Sequence, residues 1–84
     1  MNEFYVVCEN LDKRTEVLTR LGTIGFAWSG GESMSEFNPP DDRMYIHVFK
    51  QQKYIKYGTH NIGDLPEETG TEFLNKPIND SLRG

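Results

Sequence analysis

Two groups of residues in this 84-residue chain have the types and spacing to do chemistry. The first is Trp28-Ser29-Gly30-Gly31, inside the stretch LGTIGFAWSGGESMSEFNPPDD (21–42). Backbone amides of a glycine-rich turn can cradle a phosphate, and an adjacent indole can stack on a base. Arg43 and Lys50 would add positive charge, and Tyr45 a second ring. The second group is the alternating set Tyr45, His47 and Phe49, joined across a turn by Tyr54. It would form an aromatic interface for a ligand, a protein partner or a second copy of the chain. Each group also has a plainer reading. Gly30-Gly31 needs only to turn the chain, and Trp28 needs only to lid a small core. Neither G-x-x-x-x-G-K-[ST] nor G-x-G-x-x-G between a strand and a helix is present.

Catalytic patterns are thin. Cys8, His47 and His60 do not have metal-ligand spacing. Asp41-Asp42 follows two prolines and reads as the end of a loop. Ser29, Ser33 and Ser35 lack a G-x-S-x-G frame. Cys8 lies in an apolar strand, which predicts a buried, unreactive thiol. The expectation is a non-enzymatic protein with no cofactor and no metal.

The elements that must position these residues follow from pattern. EFYVVCE (3–9) predicts an interior strand, with Phe4, Val6 and Cys8 on one face and Tyr5 and Val7 on the other. Asn10 reads as an N-cap, with Asp12 in the first turn of a helix over 11–23. Leu11, Val17, Leu18, Leu21 and Ile24 form its apolar stripe. Lys13, Arg14, Glu16 and Arg20 fall on the polar side, where Glu16 and Arg20 make an i,i+4 pair. Gly25 is the expected left-handed cap, since Phe26 follows it, and Gly22 would let the helix approach the sheet closely. FAW (26–28) predicts a short strand, and a two-residue pairing is expected around 34–37. RMYIHVFK (43–50) is the clearest strand, with Met44, Ile46 and Val48 facing one way and Tyr45, His47 and Phe49 the other. KYIKYG (53–58) completes a hairpin, and TEFLN (71–75) predicts a late short strand. The fold class is therefore α+β: one helix packed on a small, mostly antiparallel sheet in the order β-α-β-β-β with a late strand. Residues 1–75 would form the single domain, and 76–84 a frayed tail.

Composition narrows the partners. The chain is long enough for one modest core. Net charge is −4, yet 43–63 holds Arg43, Lys50, Lys53 and Lys56 with no acid, and five acids follow from Asp64 onward. Lys50, Lys53 and Lys56 interleave with Tyr54 and Tyr57 as a single-strand stacking surface would. Lysines on a hairpin edge also guard against edge pairing, and a pI near 5.0 favours that role over nucleic-acid binding. No apolar run reaches the ~20 residues of a membrane span. Met1-Asn2-Glu3 opens without a basic n-region, and a lone cysteine suits a reducing compartment, so the expected setting is cytoplasmic.

At LTRLGTIGFAWSGG (18–31) the chain resembles small accessory proteins of bacteriophages and mobile elements. These show a strand, a helix ending L-x-x-L-x-x-x-G-[FY]-x-W-x-x-G, a hairpin ending near Y-G and an EFL-like close. The matching elements here are Leu18, Leu21, Gly25, Phe26, Trp28, Gly31, YIKYG and TEFLN, spread over most of residues 4–74. The resemblance implies a phage-type accessory protein in the host cytoplasm. That class includes inhibitors of host enzymes and sponges that sequester nucleotide immune signals. No catalytic residue carries over from it. Two main expectations follow: an oligomeric capture protein for a nucleotide-like signal, or a protein–protein inhibitor of a host factor. A third, weaker one is a small regulator touching DNA through the hairpin lysines, which requires binding to fall steeply with added salt. The inhibitor would act through the Tyr45, His47, Phe49 face or the acidic segment from Asp64 to Glu72.

Overall fold

The computed structural model describes residues 2–34 and 36–76. The element order is β1 (Glu3–Val7), α1 (Leu11–Thr23), β2 (Ala27–Trp28), β3 (Tyr45–Phe49), β4 (Tyr54–Gly58), β5 (Glu67–Thr69) and α2 (Gly70–Asn75). The fold is α+β. Five strands form one sheet in the order β2-β4-β3-β1-β5. Its centre is antiparallel, β1 against β3 and β3 against β4. Both edges are parallel, β5 to β1 and β2 to β4, so the sheet is mixed, with the longer, central pairings antiparallel. β1 is interior, as its two apolar faces predict.

α1 begins at Asn10, whose Oδ1 accepts from the Lys13 backbone N–H at 2.7 Å. It ends in a Schellman motif. Gly25 takes φ +100° and donates to Gly22 O at 3.1 Å, while Phe26 N–H reaches Leu21 O at 2.9 Å. Val17, Leu18 and Leu21 are buried against Val6, Ile46, Val48, Ile55, Phe26, Trp28 and Phe73. Gly22 does admit a close neighbour, but that neighbour is Met34 of the following loop rather than the sheet: a Cβ there would stand 2.8 Å from Met34 Cγ.

The helix stripe departs from its pattern at two positions. Leu11 is 39% exposed, whereas Arg14 is only 6% exposed. The chain at 39–43 crosses α1, and the guanidinium is the group that binds it. Arg14 Nη1 donates to Pro40 O at 2.8 Å and Arg43 O at 3.0 Å, and Nη2 to Pro39 O at 3.1 Å. Glu16 pairs with Lys13 at 3.7 Å instead of Arg20. Arg20 turns away to donate to Leu74 O and Lys76 O.

The loop at 34–37 is turn, with no strand among its described residues. TEFLN is helix, not strand. A capping box closes α2, with Thr69 Oγ1 accepting from Glu72 N–H at 3.0 Å and Glu72 Oε1 accepting from Thr69 N–H at 2.8 Å. Phe73 thereby faces the core at 2% exposed. The late strand is instead the preceding Glu67–Thr69, held by backbone pairing to β1. The tail expected to fray lies, from residue 77, outside the described residues, as does Ser35.

Candidate functional site

Because α1 covers the Phe4, Val6, Ile46, Val48 side, the register leaves Tyr5, Tyr45, His47, Phe49, Tyr54 and Lys56 on the other face. Their rings form a continuous row. Tyr45 meets Tyr5 edge-on at 5.9 Å, and Tyr5 stacks on His47 at 4.4 Å. His47 stacks on Phe49 at 4.1 Å, and Phe49 tilts against Tyr54 at 4.8 Å. Lys56 Nζ stands over Phe49 at 5.5 Å, a cation–π geometry. His47 Nε2 lies 2.9 Å from Glu3 Oε1, directly across the strand pair's diagonal.

One end of this face is not open. The segment 59–66 folds across it, and Ile62 N–H donates to Tyr5 OH at 3.3 Å. Asn61 braces the segment by donating to Leu65 O at 2.7 Å and accepting from Leu65 N–H at 3.0 Å. Tyr5 is consequently 3% exposed, while Ile62 projects at 68%. Between the segment and the sheet lies a cleft of about 250 Å3, lined by Tyr5, Arg43, His47, Lys56, His60 and Ile62 among others. Four of those six carry or can acquire positive charge, which suits an anion beside an aromatic floor.

The glycine-rich stretch forms a second cleft at the adjoining edge. β2 pairs only with Tyr54 and Ile55, whereas β4 continues to Gly58. The chain leaves the sheet after Trp28 by a tight turn, in which Gly31 takes φ +96° and donates to Trp28 O at 2.8 Å. Trp28 N–H in turn reaches Glu32 O at 2.9 Å. The gap so left beside β4 measures about 380 Å3 and is lined by Trp28, Ser29, Gly30, Glu32, Phe37, Lys56 and Tyr57.

These positions sort the sequence-derived residues. Ser29, Gly30 and Gly31 are exposed at the turn. Trp28 is 4% exposed and packs edge-on against Phe37 at 5.4 Å and Tyr57 at 5.9 Å, so neither face of its ring is open for a base. Arg43 is half-buried at the first cleft, its Nη1 2.6 Å from Asp42 Oδ2. Lys50 begins the turn at the opposite end of β3, roughly 20 Å of extended chain from Arg43. Its backbone N–H is held there by Asn2 O at 2.8 Å. Lys50 and Arg43 therefore do not converge. Tyr45, His47, Phe49 and Tyr54 do share one face.

Sequence reasoning did not single out Tyr5, His60, Ile62, Glu32 or Phe37 for the site. An isolated isoleucine in the polar run THNIGD was the one available signal. Cys8 is 3% exposed, and burial pushes its thiol up to about 11, so it is protonated at neutral pH. Among the described residues no group of three His, Cys, Asp or Glu is placed to hold a metal ion, and no helix is long and apolar enough to cross a membrane. Compared with protein-family models, with curated proteins and with solved structures, the chain matches none.

Proposed function

We propose that this protein is a non-enzymatic binding protein that acts by stoichiometric capture of a nucleotide-like, phosphate-bearing molecule. The observation that carries this reading is the cleft where Arg43, Lys56, His47 and His60 surround the Tyr5 end of the aromatic row. A phosphate ester needs charge-assisted donors, and its base or sugar needs an apolar, aromatic wall; the cleft offers both. Capture of this kind, in a phage-type accessory protein working in the host cytoplasm as a homo-oligomer, would deplete a nucleotide immune signal without consuming it.

Native mass spectrometry of the purified protein, before and after mixing with the small-molecule filtrate of phage-challenged bacteria, tests the reading. A discrete mass gain matching a nucleotide supports it. An unchanged mass, with the signal confirmed in the donor cells, overturns it. Arg43→Ala should weaken capture by about tenfold or more, the worth of one charge-assisted contact. Folding should persist, because the loop is held through the Arg43 backbone carbonyl and amide rather than its side chain.

One observation favours a second reading, a protein–protein inhibitor of a host factor. Ile62 is 68% exposed beside the aromatic face, and an apolar side chain so placed would anchor a protein partner better than a nucleotide. Ile62→Ala separates the two: it should remove most of the affinity for a host protein, while nucleotide capture, led by the charged groups of the cleft that Ile62 only borders, should change little.

A further inference from the structure

We infer that the cleft beside the interrupted edge of β4 is a base-reading subsite, and that the base it reads is guanine; the inference rests on the capture reading above. Three features of the cleft specify the base chemically. The first is a donor without an acceptor. Trp28 lines the cleft, and its indole Nε1–H is buried with no hydrogen-bond partner among the described residues. A buried donor in that state favours any ligand that brings an acceptor.

The second is a carboxylate without a donor. The Glu32 side chain folds back on the turn, so that a Cβ at Gly30 would stand 2.6 Å from Glu32 Oε1. Glu32 is exposed and makes no ion pair or side-chain hydrogen bond with a described residue. Its two oxygens are open to a pair of adjacent donors. The third is an aromatic wall. Tyr57 is 39% exposed and stacks on Phe37 at 5.7 Å, which leaves Tyr57 as the accessible ring of the cluster.

Guanine fits this set better than the other bases. Its Watson–Crick edge carries two neighbouring donors, N1–H and N2–H, beside the O6 acceptor. The donors match both oxygens of Glu32, and O6 meets a site that has a donor to spare. Adenine offers the carboxylate a single exocyclic amine, and uracil a single ring N–H. Lys56 and Tyr57 line both clefts, so a guanine held at Glu32 has its phosphate on the side where Arg43, Lys56 and His60 stand. A guanine ribonucleotide bridging the Lys56–Tyr57 ridge would use both clefts at once.

Trp28 is the chain's one tryptophan, so its emission reports this cleft and no other. The test titrates the full-length protein with GMP, AMP and inorganic phosphate, reading Trp28 emission together with calorimetric binding, and repeats the series with Glu32→Gln. GMP should bind about tenfold or more tightly than AMP and shift the emission, because a matched pair of hydrogen bonds discriminates by that much. Phosphate should bind more weakly and leave the emission unchanged. Glu32→Gln should erase the preference for GMP while the thermal midpoint and phosphate affinity stay as they were. Equal binding of GMP and AMP, or a preference unmoved by Glu32→Gln, overturns the guanine subsite and leaves the capture reading standing. No binding of any of the three overturns both.

Discussion

Replacing Arg14 by methionine removes the only charged side chain buried in the described core and should destabilise the protein by about 2–4 kcal/mol. Methionine keeps the apolar stem that packs along α1 and deletes the guanidinium. Three contacts are lost, but their costs differ. Pro40 O keeps the Arg43 N–H at 3.0 Å, and the half-buried Arg43 carbonyl can take water. Pro39 is buried, and its carbonyl has Arg14 Nη2 as its donor, so it alone is orphaned, at ~1–3 kcal/mol. Relief from burying a cation offsets part of the remainder. A chain of this length has on the order of 4–12 kcal/mol in total, so the variant should melt roughly 10–25 °C lower. Arg14→Lys keeps the charge but not the planar fork, and should fall between the two. Urea unfolding followed by Trp28 emission reads the change directly, because that indole is buried in the native state. A methionine variant within ~0.5 kcal/mol of the parent would refute the reasoning, showing that the 39–43 crossing holds itself in place.

Three further outcomes are expected. Thr69→Ala should cost about 1 kcal/mol by opening the capping box of α2, measurable by chemical denaturation, and Glu72→Ala should behave alike. Gly25→Ala should cost about 1 kcal/mol or more, because φ +100° at the end of α1 strains any side chain, and a lower thermal midpoint with unchanged far-UV circular dichroism would show it. Cys8 has a thiol raised from 9.0 to about 11 by burial. A raised acid favours the folded state below the unfolded value and loses that contribution as pH rises through the folded one, so stability should drop between pH 9 and 11. Cys8→Ala should flatten that drop, and the parent thiol should resist a disulfide reagent at pH 7.4 until the chain is unfolded.

The parts of the fold that were legible in the sequence are those in which local pattern and tertiary role coincide. β3 and β4 alternate cleanly, so the Ile46, Val48 core side and the Tyr45, His47, Phe49 face could both be read. α1 carries its own cap and stop signals at Asn10 and Gly25. β5 could not be read, because Glu-Glu-Thr has no apolar alternation and is a strand only through backbone pairing to β1. The same contact fixes the start of α2, whose signal was the Thr69-x-x-Glu72 box rather than the apolar pair Phe73-Leu74. Arg14 illustrates the limit most sharply. Helical periodicity places a cation outside unless something brings carbonyls to it, and the residues that do so lie twenty-five and more positions away. For the site, the aromatic face was legible. The company Arg43 keeps was not, since it depends on where the 59–66 segment crosses the sheet.

The glycine-rich stretch has a single physical explanation for what looked like alternatives. Gly31 turns the chain away from the sheet after Trp28, and that departure is why β2 covers only Tyr54 and Ile55. A strand that stops early leaves the neighbouring strand's edge bare, and here the bare edge runs past Lys56 and Tyr57. Turn and cleft are thus one event. If Gly31 were absent and β2 continued, the added residues would lie where the cleft now is. The burial of Trp28 follows from the same geometry. It closes the core against Phe37 and Tyr57, and Tyr57 is the most exposed ring of the three.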